Sequence, residues 1–401
     1  MLLWRATSPA ILRPRPHQSV VFFTSKSTPP PTAWLSSILT WFKPPPPAPD
    51  APTTPFPTAN VHLDDGLCLL IDGNNLIYHQ YKKYMEMKST PQTGSEYIGA
   101  TYGFLKAVDR LLVRFEPRRV CVFFDTPVVT NRKLDDPTYK ATRGRTPDAL
   151  RTQFPLTQST LARIGVAVVK VDGIEADDLI ASYTKANVAE GFDVVIVSDD
   201  KDFYQLLQST PQRVTLYRPS WDRVYDEAFV KRILSHGQKN PNRVTPAMYP
   251  SIITLKGDRW GKSPGLPGGL GTKLKPIKYA FQSGGVLPLL GRLSKIREKD
   301  LRKRFKDSAD VLTATYRSLK LDDTIARPVS TATFAVDRID MDQLAAILGN
   351  PKRRILHHQP KKVLKRQHKA TKRRYQAKME ALRSEAAAAK SLSVDASKEK
   401  N

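Results

Sequence analysis

Short apolar runs, each closed by an acid, punctuate the first half of the chain. Leu67-Cys68-Leu69-Leu70-Ile71 ends at Asp72, Val120-Cys121-Val122-Phe123-Phe124 ends at Asp125, and the run 193–198 ends at Asp199-Asp200. The runs are rich in Val, Ile and Phe and are separated by helix-length amphipathic segments, the pattern of parallel strands buried on both faces of an α/β sheet. Such sheets bind ligands outside the carboxyl ends of their strands. Three distant segments therefore deliver Asp72, Asp125 and Asp200 to one edge. A fourth acidic group, Glu175-Ala176-Asp177-Asp178, opens a helix expected to run to about Glu190.

Three carboxylates within four residues exceed what a helix cap needs, and without a counter-ion their repulsion raises pKa values and destabilises the fold. A bound divalent cation removes that penalty. Glu175 and Asp178 share a helix face at i, i+3, and Asp177 points roughly 100° from its neighbour, so one turn can serve two metals. Asp200 and Asp202 flank Lys201 and, in extended geometry, face the same side. All-oxygen ligands of this kind select Mg²⁺ or Mn²⁺ over zinc or copper. Only two cysteines exist, Cys68 and Cys121, both inside core strands, which argues against a disulfide or a zinc site.

The net charge of +26 is unevenly spread. Residues 1–60 hold five basic and one acidic side chain and residues 351–401 sixteen and four, which leaves +10 for the body between them. A basic body that gathers acids at one edge suits a polyanionic substrate held around a cation-filled pocket. No acid precedes Asp50, whereas Arg5, Arg13, Arg15 and Lys26 are interspersed with Ser, Thr and apolar residues. That composition predicts a mitochondrial transit peptide, followed by a Pro-rich extended linker. The apolar stretches 20–23 and 33–42 are shorter than the ~20 residues of a membrane span, so no membrane partner is expected. The expected organisation is transit peptide and linker over 1–60, a catalytic domain over 61–240, a helical duplex-binding extension over 241–350, and a basic tail over 351–401 that neutralises phosphates non-specifically.

From about Leu67 to Lys273 the sequence resembles the 5′-nuclease domain of bacterial DNA polymerase I and, more distantly, the flap endonucleases. Leu69-Leu70-Ile71-Asp72-Gly73-Asn74-Asn75, Thr101-Tyr102-Gly103-Phe104 and Val122-Phe123-Phe124-Asp125 match its first three motifs. Tyr139-Lys140-Ala141-Thr142-Arg143 with Pro147-Asp148-Ala149-Leu150-Arg151 resembles the arch. Gly173-Ile174-Glu175-Ala176-Asp177-Asp178-Leu179 and Asp200-Lys201-Asp202-Phe203-Tyr204-Gln205-Leu206 resemble the two acidic signatures. The resemblance implies a PIN-like α/β fold with a central, mostly parallel sheet, a helical arch and a helix–turn–helix extension. Together with the N-terminal composition it implies a stand-alone organellar nuclease, active as a monomer, that cuts 5′ flaps or RNA-primed ends for primer removal, so that RNA–DNA hybrids are partners beside branched DNA.

Carried over by motif, Asp72, Asp125, Glu175 and Asp177 hold one Mg²⁺, and Asp178, Asp200, Asp202 and Asp258 contribute to a second. Lys140 and Arg143 face the scissile phosphate, whose growing charge a Lys and a bidentate Arg suit. On so apolar a helix Phe104 is assigned to core packing, while Tyr102 is a candidate to stack an unpaired base. The loop carrying Gly265, Gly268, Gly271, Thr272 and Lys273 resembles the family's duplex grip, with a monovalent cation between its carbonyls and a phosphate. It departs from the family pattern in an extra glycine and in Trp260-Gly261-Lys262, where a further carboxylate is lost. A PIN-type ribonuclease and a non-catalytic nucleic-acid binder are the competing readings.

Overall fold

The computed structural model describes residues 20–22, 66–84, 98–135, 144–235, 244–257, 263–271 and 275–349. Seven strands, β1 (Val20–Phe22), β2 (Leu67–Asp72), β3 (Arg119–Phe123), β4 (Ala167–Val171), β5 (Asp193–Val197), β6 (Val214–Arg218) and β7 (Arg223–Tyr225), form one sheet in the order β1-β4-β3-β2-β5-β6-β7. The five inner strands are parallel, and β1 and β7 pair antiparallel at the edges. The expected α/β class with a mostly parallel sheet is therefore the observed one. The chain moves outward from β2 through β3 to β4, then returns to the other side of β2 for β5. Its reversal falls beside the strand that ends in Asp72, the position at which open α/β sheets place their crevice.

β2 is buried along its whole length because both faces are covered. Cys68 and Leu70 join Leu179, Ile180 and Tyr183 of the helix Ala176–Ala189 in one core, while Leu69 and Ile71, pointing to the opposite face, are equally buried. The consecutive phenylalanines after β3 divide the same way. Phe123 packs on Tyr183 with ring centroids 5.3 Å apart, and Phe124 stacks on Phe104 of the helix Gly99–Phe115 at 6.1 Å. That helix stops at Glu116, whose left-handed φ of 43° lets its N–H bond Leu112 O just ahead of Pro117.

Five helices, Tyr249–Lys256, Lys275–Ser283, Val286–Leu290, Lys299–Asp307 and Ala309–Leu319, build the extension. Val244, Tyr249, Ile252 and Ile277 enter the core of the sheet layer, whereas Leu255, Leu266, Ala280, Phe305 and Leu312 close a second core. Packing thus continues across the boundary expected near 240, and the described residues from 66 to 339 belong to one compact unit, with the helix Met341–Ile347 in another. Among the described residues no helix is long and apolar enough to cross a membrane. The segment expected to be transit peptide and linker contributes β1; the rest of 1–60, and all of the basic tail 351–401, lie outside the described residues.

Candidate functional site

Asp72 ends β2 and is only 5% exposed. Its Oδ1 accepts the Asn75 N–H at 2.9 Å and its Oδ2 the Ser198 hydroxyl at 2.8 Å. Burial nevertheless pushes its pKa up to about 7, and the charges of Asp125 and Asp200 push the same way. Asp125, just beyond β3, exchanges two hydrogen bonds with the Asn74 amide, at 3.0 and 3.1 Å. Its Oδ1 also accepts the Ala176 N–H at 2.8 Å. It therefore takes one of the orphan amides of the helix Ala176–Ala189, whose positive end favours its charge. Glu175, buried, stands at the N-cap of the same helix, and Asp177 is half-buried in its first turn.

Ser198 joins the first and third carboxylates, since its hydroxyl donates to Asp72 while accepting the Asp200 N–H at 3.0 Å. Asp200 and Asp202 do not lie in extended geometry as expected. Asp200 caps the 3₁₀ turn Lys201–Leu206 and its Oδ1 accepts the Asp202 N–H at 2.9 Å, because a short acid at a turn start satisfies the free amide two residues on. Asp199 turns away to Ser220, whose hydroxyl donates to it at 2.6 Å.

Asp178 stands apart from this cluster in its bonding. The guanidinium of Arg132, on the helix Asn131–Asp135, pairs with both its oxygens, with Nε at 3.1 Å. The same guanidinium donates to the carbonyls of Ser318 (2.7 Å) and Lys320 (2.9 Å), and Asp178 accepts the Asp322 N–H at 2.8 Å. Asp178 is therefore an engaged counter-ion here rather than an open metal ligand. Burial still raises its pKa, against the opposing pull of Arg132. Among the described residues no three His, Cys, Asp or Glu side chains close into a ready ligand cage; the carboxylates gathered at the edge are turned toward Asn74, Asn75, Ser198 and Ala176. The chemistry of the set nonetheless fits a hard cation: oxygen donors only, one of them buried and pressed by two like charges.

Tyr102 is 9% exposed and meets Tyr84 edge-on at 6.0 Å, so in place of the expected base-stacking platform it is part of the helix packing. Lys140, Arg143, Asp258, Gly261, Thr272 and Lys273 lie outside the described residues. Gly265, Gly268 and Gly271 all take positive φ, 75°, 75° and 66°. Gly265 permits the closest approach, since a Cβ there would come within 2.9 Å of Gly257 N, and the loop closes through Leu266 N–H to Leu255 O at 2.9 Å. Two carbonyls of this loop meet a guanidinium. Arg304 donates through Nε to Pro267 O at 2.7 Å and through Nη2 to Gly269 O.

The profile of the 5′-3′ exonuclease N-terminal resolvase-like domain matches residues 67–234. Residues 67–234 are a domain of the 5′-3′ exonuclease N-terminal, resolvase-like type. DNA polymerase I of Treponema pallidum is 34% identical over 199 residues, half of this chain and 19% of that protein. A 5′-3′ exonuclease of Aquifex aeolicus is 28% identical over 276 residues, 69% of this chain and 88% of that one. The chain thus spans about a fifth of its polymerase relative. The T5 D15 protein co-crystallised with metal ions shares the fold, with a TM-score of 0.50 at 18% identity over 70% of this chain and 99% of that one. Proteins of the 5′-nuclease family are hydrolases. Sequence reasoning gave no role to Asn74 and Asn75, which lie inside the first motif, or to Ser198, whose only signal was its place beside Asp199 and Asp200.

Proposed function

We propose that the protein is a metal-dependent, structure-specific 5′-nuclease that hydrolyses branched DNA, including 5′ flaps and RNA-primed ends, near the single-strand/duplex junction. One observation carries the reading: Asp72, Asp125 and Asp200 come from the ends of three parallel strands, and the latter two charges press on a buried Asp72. These three would hold the divalent cation, with Glu175 and Asp177 beside Asp125 at the helix start. Mg²⁺, as two ions or with Mn²⁺ in substitution, suits oxygen ligands and would supply an activated water and charge stabilisation at the phosphodiester. Asn74, Asn75 and Ser198 orient the carboxylates as outer-shell donors do. The family resemblance supports Lys140 and Arg143 as the groups that meet the developing phosphate charge. The basic, acid-poor composition of residues 1–60 supports mitochondrial import, and with it a role in organellar primer removal as a monomer.

A Mg²⁺ titration of cleavage on a DNA flap, beside a matched RNA hairpin, tests this. Metal-dependent cutting of the flap at its junction is expected. Cutting of the RNA alone would replace the reading with a ribonuclease, and no cutting of either with a binding protein. Loss of Lys140 or Arg143 should slow the chemical step by roughly 2.7–4 kcal/mol.

A further inference from the structure

We propose that Arg304 is the built-in cation of the glycine loop 263–271, so that the loop meets a duplex phosphate without a bound monovalent ion. The inference rests on the nuclease reading only for what the loop touches. Arg304 projects from the helix Lys299–Asp307, seated by the buried Leu301 and Phe305. Its Nε donates to Pro267 O at 2.7 Å and its Nη2 to Gly269 O. The residue between those carbonyls is Gly268, where a Cβ would come within 3.2 Å of Cζ, Nε and Nη2. A glycine there therefore lets the planar guanidinium lie against the backbone and bridge two oxygens that face it. Glu298, at the N-cap of the Arg304 helix, ties that helix to the one that follows the loop, accepting from Lys275 at 2.5 Å and Tyr279 at 2.9 Å. The helix that carries Arg304 is thus tied both to the loop and to the helix Lys275–Ser283.

Each carbonyl keeps a second lone pair, but an ion sharing these two oxygens would sit against a guanidinium cation. Like-charge repulsion at that range disfavours it. A monovalent cation therefore does not fit at the carbonyls of Pro267 and Gly269. The permanent charge of the guanidinium takes over the task of such an ion, which is to neutralise the carbonyl dipoles and leave the loop positive toward a phosphate.

Two measurements test the proposal. In ²⁰⁵Tl⁺ NMR, where Tl⁺ stands in for K⁺, wild type should show no bound signal and Arg304→Ala should gain one that K⁺ displaces. Bound Tl⁺ in wild type, or none in the variant, overturns it. If Arg304→Ala fails to fold, Arg304→Gln, which keeps much of the stem but removes the charge, is judged by the same spectrum. The second measurement is the Kd for branched DNA in Ca²⁺, with K⁺ or the bulkier tetramethylammonium at one ionic strength. Wild type should bind equally within about twofold, because screening is unchanged. Arg304→Ala should bind about tenfold more weakly in tetramethylammonium, the worth of a charged hydrogen bond, and recover in K⁺. A wild type that depends on K⁺ overturns the proposal. If wild type binds no branched DNA in either salt, the nuclease reading falls, while the thallium spectrum still decides Arg304.

Discussion

Asp72 carries the sharpest consequence at the scale of single residues. Its pKa is raised from 3.8 to about 7, chiefly by burial. A raised acid favours folding below its unfolded pKa, and that contribution is lost as pH climbs through the folded value. In chelator the protein should therefore melt at a higher temperature at pH 5 than at pH 8. Asp72→Asn should flatten the slope between about pH 4 and 7 and stabilise the metal-free protein at pH 8, yet abolish cleavage. Thermal unfolding of both proteins in EDTA checks this, and an unchanged slope in the variant would remove Asp72 as its cause. Added Mg²⁺ should raise the wild-type melting temperature most at pH 8, where the carboxylate cluster is ionised.

Two elements are held at their ends by interactions that make separate predictions. Arg132 ties the helix Asn131–Asp135 to Asp178 and to the carbonyls closing the helix Ala309–Leu319. Both side chains are largely buried, so Arg132→Ala should cost about 3 kcal/mol in urea unfolding by stranding a buried charge. Arg132→Met with Asp178→Asn should recover most of it. The Mg²⁺ concentration for half-maximal cleavage should stay where it is in Arg132→Ala; if it drops, the guanidinium masks a metal ligand and Asp178 rejoins the site. Gly73, at the turn from β2 into the helix Gly73–Tyr84, leaves no room for a methyl group. A Cβ would lie 2.6 Å from Phe124 Cε1 and 2.7 Å from Phe123 O. Gly73→Ala should destabilise by about 1–3 kcal/mol and lower kcat further than the reduced folded fraction explains, since the shift is passed to Asp72 and Asp125 together. A rate loss that merely tracks folding would confine Gly73 to packing.

At the scale of the whole molecule, charge is divided between an acidic sheet edge and basic surroundings. Deleting residues 351–401, with sixteen basic and four acidic side chains, should weaken DNA binding broadly. Its log–log salt dependence should flatten by about 0.9 for each phosphate no longer neutralised. The cut position should not move; if it does, the tail helps to place the substrate. A reporter fused behind residues 1–60 should enter mitochondria, and a diffuse cytosolic signal would count against import.

Local pattern alone determined much of this protein. Apolar runs of strand length, acids at their ends and helical spacing between them were enough to predict the parallel sheet, the edge where Asp72, Asp125 and Asp200 arrive, and the core role of Phe104. Those features depend on alternation and period, which neighbours in sequence encode. Tertiary structure decided the rest. That Asp178 is occupied by Arg132, 46 positions away, that Ser198 bridges Asp72 to Asp200, that Tyr102 is covered by Tyr84, and that Arg304 claims the carbonyls of Pro267 and Gly269 all depend on which side chains the packed elements bring within bonding distance. A carboxylate or carbonyl looks the same in the sequence whether a cation or a guanidinium will meet it. Only folding supplies the partner, because burial obliges each polar group to find one.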